Sequence, residues 1–269
     1  MKTATFQATI WEYYHTHKRH DLPWRVVDAA GNLDPYHVMV SELMLQQTQV
    51  ARVIPKYEAF LRQYSNLQAL ATAELGAVLQ AWSGLGYNRR AKYLWQAANT
   101  IISQYDGVFP ATERSLITLP GIGKNTAGAI LAYAYNQPVA YIETNIRSVY
   151  LHHFFTNQVG VSDAKILVKV SETLDIEHPR EWYWALMDYG THLKKTVGNP
   201  SVRSTAYTRQ PAFNGSRRQI RGMVIRHLTG VNASLAALQY AINDERLESV
   251  VQDLLSEGMI NLSGDQYRL

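Results

Sequence analysis

A chain of 269 residues with 46% hydrophobic, 11% aromatic and only 18% charged residues has the material for a buried core and too little charge to stay unfolded, so it reads as one large globular domain or two smaller ones. It contains no cysteine, which excludes structural disulfides, thiolate zinc sites, cysteine nucleophiles and cysteine-ligated iron–sulfur clusters together. The net charge of +4 is unevenly spread: from His192 to His227 the basic residues Lys194, Lys195, Arg203, Arg209, Arg217, Arg218, Arg221 and Arg226 stand without one Asp or Glu, the pattern of a polyanion-binding surface or of a solvated linker.

The N-terminal MKTATFQATIWEYYHTHKRH is amphipathic and aromatic, with no continuous apolar stretch and no small-residue cleavage site. No apolar run approaches the ~18 residues of a spanning helix. The expectation is a cytoplasmic protein without a membrane partner, nucleoid-associated if bacterial. From His37 to Tyr64 apolar residues return at three- and four-residue intervals, predicting two helices that meet near Pro55. Helices are predicted over Leu67 to Trp82 and Arg89 to Tyr105, separated by the glycine-punctuated SGLGYNRR, and a short one after the Gly107 to Pro110 loop. Helical periodicity resumes from Tyr141 through Phe154, Ser162 to Leu174 and Pro179 to Leu193. The Pro/Gly/Ser/Asn-rich stretch 196–216 reads as a basic linker. Beyond it come a basic helix from Arg217 to Leu228, a helix from Ser234, a third from Glu245 to Glu257 and a hairpin turning at Ser263 to Asp265, together a small winged-helix-like module over 217–269. The fold class predicted is mostly α.

LPGIGKNTAGAI, Leu119 to Ile130, carries the strongest local signal. Two glycines one residue apart after Pro120 force a tight turn between helices and leave backbone amides free at the start of the second. Small residues and the helix dipole there suit a sugar–phosphate backbone. A nucleotide-binding P-loop is excluded, since its Gly-Lys-Ser/Thr triplet fails at Asn125.

Four segments in order, DLPWR at Asp21 to Arg25, SELMLQQTQVARVIPKYEAF at Ser41 to Phe60, WSGLGYNRRAKYL at Trp82 to Leu94, and LPGIGKNTAGAI, resemble the helix-hairpin-helix DNA glycosylases, with the MutY-type adenine DNA glycosylases most similar. The resemblance implies a two-lobed glycosylase body over 1–195 that extrudes a nucleotide from duplex DNA and cuts its N-glycosidic bond. It assigns wedge and gap-filling roles in the minor groove to Gln47, Thr48, Leu85 and Tyr87, although Leu85 and Tyr87 also suit loop-to-core packing. Arg89, the hairpin residues Gly121, Gly123, Lys124, Asn125 and Thr126, and Lys194 and Lys195 are the DNA contacts it implies nearby.

Glu42 matches the catalytic glutamate of the family and interrupts an apolar helix face between Val40 and Leu43; desolvation there would raise its pKa and let it protonate a departing purine. The aspartate that steadies the cationic sugar in the family is replaced by Glu143, in YIETN, which moves a carboxylate by about one methylene; Asn145 matches and orients it or meets the adjacent phosphate. Relatives that also cut the strand use a lysine where Asn125 stands, so a monofunctional glycosylase is implied. The cysteine-ligated cluster loop is replaced by THLKKTVGNPSVRSTAYTR, so no iron–sulfur cofactor is expected, while a monovalent cation on the hairpin carbonyls is what the family suggests. The Nudix-like domain that reads the opposite base is absent from the resemblance. The third helix of the module carries Glu245, Glu248, Asp253 and Glu257 and would repel phosphates, so the module meets DNA through Arg217, Arg218 and Arg221 or packs on the body. The expected partner is double-stranded DNA holding a mispaired or damaged base, bound by a monomer. The base is most readily adenine; another altered base, deaminated or alkylated, and a non-catalytic lesion binder stay open.

Overall fold

The computed structural model describes residues 2–269. The three- to four-residue apolar period becomes helix almost everywhere: α1 (Thr3–His17), α2 (Pro35–Leu45), α3 (Val50–Gln63), α4 (Leu67–Ala71), α5 (Leu75–Trp82), α6 (Arg89–Gln104), α7 (Glu113–Leu116), α8 (Lys124–Tyr133), α9 (Thr144–Phe154), α10 (Asp163–Thr173), α11 (Pro179–Thr196), α12 (Arg217–His227), α13 (Leu235–Ile242) and α14 (Leu247–Ser256). Two 3₁₀ turns, Pro23–Arg25 and Pro200–Arg203, and one hairpin of β1 (Asn261–Ser263) and β2 (Gln266–Arg268) complete it. Side-chain oxygens of Asn66, Thr112, Ser162, Ser216 and Ser234 accept from the first turns of α4, α7, α10, α12 and α13, which is why those helices start where they do.

Two local expectations are corrected. The break in the first long helical pattern falls at residues 46–49, where Gln47 takes a left-handed backbone (φ 57), and Pro55 lies inside α3. A proline there removes one backbone hydrogen bond, and the buried stripe of Val53, Tyr57 and Phe60 outweighs it. The single helix read over Leu67 to Trp82 is two, because extended backbone at Glu74 separates α4 from α5.

The chain divides into two compact units. Unit 1 comprises residues up to Val38 with Ala111–Thr118 and Ile122–Arg209. Its core forms where α1 and α9 lie on α11, with Phe6 among Tyr150, Phe154 and Trp182 at centroid separations of 4.9–5.9 Å. Asp188, buried on α11, accepts from Arg19 Nε (2.7 Å) and from both terminal nitrogens of Arg25 (2.9 and 3.0 Å), fixing the N-terminal segment. Small residues let α8 sit close to its neighbours: a Cβ on Gly128 would stand 2.5 Å from Tyr141 Cβ. Within the stretch read as linker, Pro200 and Ser201 are buried, and Val161 and Thr205 bond across the backbone.

Unit 2 comprises Met39–Pro110, Leu119–Gly121 and Gln210–Leu269. Trp82, Phe60, Leu79, Met44 and Leu94 are buried, with α5 packed on α3 and α6 and α4 packed on α6. The C-terminal helices α12, α13 and α14 pack on each other, with β1 and β2 paired antiparallel through Leu262 and Tyr267 and Ala233 bridging to Tyr267, the winged-helix-like arrangement read from the sequence. α12 also packs on α5, and Leu269 lies against Gly76, 3.0 Å from where a Cβ would sit. The module is thus part of unit 2.

Candidate functional site

In unit 2 the expected residues converge on Arg90, a side chain of the third motif to which the sequence reading gave no role. Glu42 stands half-buried on α2, one turn before its end. The last carbonyls of a helix have no partner within it, and here Leu43 and Met44 O accept from Arg90 Nη1 at 2.7 and 2.9 Å. The same nitrogen reaches Gln46 O, while Nη2 donates to Thr48 Oγ1 (3.1 Å) and to Gly86 O (3.0 Å). The guanidinium lies 5.4 Å from the rings of both Trp82 and Tyr87. Arg90 is 7% exposed and pairs with carbonyls and aromatic faces; burial lowers its pKa to about 10, so it stays a cation at neutral pH. One planar fork therefore ties the Glu42 helix, the QQT loop and the GLGY loop together, a task that suits the fixed donor geometry of arginine.

The loops that Arg90 joins hold two residues in strained backbone. Gln47 (φ 57) and Tyr87 (φ 49) are non-glycine residues in the left-handed region, which costs about 1 kcal/mol or more each and tends to occur at functional positions. Thr48 is engaged by Arg90. Leu85 is 4% exposed and packs into the core of its unit. Gln47 Oε1 accepts from Gln210 Nε2, and the Tyr87 hydroxyl accepts from Arg218, whose guanidinium lies 5.0 Å over the ring.

The other arginines at the start of α12 are neutralised inside unit 2. Arg217 pairs with Asp253 (2.6 Å) and Ser249 (2.9 Å), and Arg221 with Glu257, which also takes Arg89. Lys92 Nζ donates to the Glu257 carbonyl. Burial pushes the Glu257 carboxyl up, but the hydrogen bonds from Arg89 and Arg221 prevail and hold it at about 2. The acidic third helix thus faces the basic first helix, and Arg217 and Arg221 are paired within the module.

Gly121, also of unit 2, has φ +77, and a Cβ there would stand 2.6 Å from Tyr93 Cβ, so both backbone angle and space require glycine.

In unit 1, Gly123 is the extended N-cap of α8 and supplies no side-chain cap, with Lys124 and Asn125 exposed and Thr126 half-buried in the first turn. Amides at such a start are donors for an anion. Glu143 is half-buried at the N-cap of α9, in extended backbone, and does not cap the helix with its side chain. Two residues on, Asn145 Oδ1 accepts from Lys194 Nζ at 2.7 Å, and its amide nitrogen donates to Thr191 Oγ1 at 3.4 Å. Burial first, and then Arg147, lower the Lys194 pKa. A Cβ on Gly190 would meet Asn145 O at 2.6 Å, so that glycine sets how closely α9 and α11 approach. Lys195 is exposed. Arg203 donates to the Leu151 and Phe155 carbonyls at 2.8 and 2.7 Å, so not all of the basic run is surface charge.

Arg90 and Gln210 are the residues that motif reasoning missed. A signal for Arg90 exists: it shares a buried stripe with Leu94, Ala97, Ala98 and Ile101 on α6, a helical period that places position 90 inward. None exists for Gln210. Among the described residues no group of three or more His, Asp or Glu side chains is arranged to hold a metal, and no helix is long and apolar enough to cross a membrane.

Residues 40–171 match the family described as HhH-GPD superfamily base excision DNA repair protein. The chain is 37% identical over 191 residues to the adenine DNA glycosylase of Buchnera aphidicola subsp. Baizongia pistaciae, a match that covers 71% of this chain and 53% of that relative. It is 30% identical over 274 residues to the adenine DNA glycosylase of Mycolicibacterium smegmatis, covering 94% and 92%. The chain spans about half the length of the three Buchnera relatives it matches, 53%, 55% and 43%. Among solved structures, a thermostable thymine-DNA glycosylase superposes with a TM-score of 0.60 at 23% identity, over 70% of this chain and 85% of that one, and an endonuclease III–DNA complex with 0.55 at 17%, over 73% and 87%. These two likenesses are of fold.

Proposed function

The chain belongs to the HhH-GPD superfamily of base excision DNA repair proteins, and from that premise we propose that it hydrolyses the N-glycosidic bond of adenine mispaired in duplex DNA, without cutting the strand. The observation that carries this reading is Glu42, half-buried on a helix whose end is held by Arg90, in a chain whose likeness to an adenine DNA glycosylase extends over 94% of its length.

Adenine leaves when the bond from C1′ to N9 breaks with its electron pair going to the base. A protonated Glu42 gives its proton to the departing purine, a contribution of order 10²–10⁴ in rate. Glu143 supplies negative charge to the cationic sugar, and water adds to C1′ and releases the proton that restores the acid. Asn145, held by Lys194, orients the start of α9 where Glu143 stands. The hairpin from Gly121 to Thr126 takes a backbone phosphate with its amides and Lys124. Asn125 offers no amine for a Schiff base, so the reaction ends at the abasic site.

Duplexes carrying each defined mispair, incubated with the protein and then with alkali, test the reading. Release is expected from adenine mispairs, with Glu42→Gln slower by about 10² or more. No release from any duplex, or equal release by Glu42→Gln, overturns it. A covalent adduct in good yield on borohydride trapping overturns the single-function part.

A further inference from the structure

In unit 1 the end of α11 and the 3₁₀ turn that follows it grip α9 at both ends. At its start, the half-buried Lys194 donates through Nζ to Asn145 Oδ1 at 2.7 Å. The Ser201 and Ser148 hydroxyls lie 2.8 Å apart, and both reach the Thr144 carbonyl, at 3.1 and 2.9 Å. Both serines are buried, 1% and 0% exposed. At the far end, Arg203 donates to the Leu151 and Phe155 carbonyls. The strap is itself anchored: Asn199 Oδ1 accepts from Ser201 N at 3.2 Å, and the backbone of Arg203 and Thr205 brackets Val161 at 3.1 and 3.0 Å. From another side, Asp163 in the first turn of α10 takes Arg147 in a bidentate pair of 2.8 and 2.7 Å.

The first turn of a helix is its least constrained, because its leading amides have no partner within the helix. Glu143 is the N-cap of α9 and does not cap it through its side chain, so the backbone that carries its carboxylate is placed by whatever fixes residues 144, 145 and 148. Lys194 and Ser201 make those contacts. A lysine that met a phosphate would have to leave Asn145, and a buried serine hydroxyl reaches no ligand at all. We infer that Lys194 and Ser201 are positioning residues for base excision, fixing the first turn of α9 and through it the Glu143 carboxylate, with Lys194 acting through Asn145 and not on DNA. The inference rests on the base-excision reading above and moves Lys194 from the DNA contacts to the frame of the site.

The test compares wild type with Lys194→Met, Lys194→Arg, Ser201→Ala and Arg203→Met. Single-turnover release of adenine is measured at saturating protein, affinity for a duplex with a tetrahydrofuran abasic site is measured against salt, and hydrogen exchange follows the first turn of α9. Lys194→Met is expected to slow release about ten-fold or more, since a displacement of about 1 Å can cost ~10² in rate. Its affinity keeps the wild-type salt slope, because no phosphate contact is lost. Lys194→Arg, which retains a cationic donor for Asn145, recovers much of the rate. Ser201→Ala slows release less. Arg203→Met, at the far end of the helix, lowers the unfolding temperature and leaves release per folded molecule unchanged.

A loss confined to affinity, with a salt slope shallower by about one, makes Lys194 a phosphate contact and overturns the inference. Equal slowing by Arg203→Met, or no recovery in Lys194→Arg, overturns it too. If the wild type releases no base from any duplex, the excision reading fails by itself. Faster exchange at the start of α9 in Lys194→Met than in Arg203→Met then upholds the grip on that turn, and equal exchange removes both.

Discussion

Each unit buries one arginine with no carboxylate partner, and the pair differ in what they hold. Arg90 in unit 2 and Arg180 in unit 1 are 7% and 6% exposed. Arg180 donates through Nε to Tyr133 O, and through its terminal nitrogens to Gly31 O (2.6 Å) and Ala134 O (3.3 Å), at the C-terminal end of α8. Arg90 does the same for the end of α2 and continues to Gln46, Thr48 and Gly86. In both, burial lowers the pKa, and in both the negative end of a helix stands in for a counter-ion. The lesson is that unpaired helix carbonyls hold a buried cation, and that where the fork reaches two further loops the same device becomes part of a site.

The comparison breaks or sharpens under substitution. Arg90→Met leaves the carbonyls of Leu43, Met44, Gln46, Gly86 and Tyr87 without this donor and is expected to cost unit 2 about 3–5 kcal/mol, with base release per folded molecule falling by about 10² because a shift of about 1 Å in the α2 end misplaces Glu42. Denaturant unfolding and single-turnover rates measure the two effects. Arg180→Met is expected to cost about 2–3 kcal/mol by the same mechanism, with release per folded molecule changed only a few-fold. Equal losses of activity in the two variants would show that both arginines are merely structural.

Acid separates the units next. Burial, and then the adjacent His152, hold His153 in unit 1 at about 4, against 6.5 in an unfolded chain. The folded state therefore refuses a proton that the unfolded chain takes, and the stability this group protects is complete above pH 6.5 and drains as pH falls toward 4. Glu257 in unit 2 is held at about 2 against 4.5, so its contribution is complete above 4.5 and drains as pH falls toward 2. Hydrogen exchange is expected to show peptides of α9 and α11 losing protection between pH 6.5 and 4, with those of α12 and α14 following below 4.5; the reverse order contradicts the assignment. The smallest effect is that of Arg217→Ala, which removes an exposed ion pair with Asp253 and is expected to cost about 0.5 kcal/mol or less, read from the unfolding midpoint.

Much of this was legible in residues alone. The helical period gave the helices from α6 onward nearly to their ends, Ser216 and Ser234 marked where α12 and α13 start, and the Gly-Ile-Gly turn announced a helix start without a side-chain cap. Glu42, Glu143 and the two loops were found through the resemblance. What was not legible has a common form. The period did not place the break between α2 and α3, because Gln47 takes a backbone angle that its residue type does not advertise. Leu85 read as a wedge or as packing, and its burial is visible only in the tertiary structure. The basic run read as a polyanion surface or a solvated linker, yet Arg203, Arg217 and Arg221 are committed to partners within their units.

The sequence by itself determined the helical class, the absence of any cysteine chemistry, the hairpin and the family, since these depend on residue type and on spacing along the chain. The tertiary structure alone decided which arginines are neutralised, that Arg90 gathers two loops and a helix end, and that Gln210 and Arg218 lie on Gln47 and Tyr87. The reason is physical: a side chain's charge is written in the sequence, but its solvation and its partners are set by residues brought close only when distant segments close on one another.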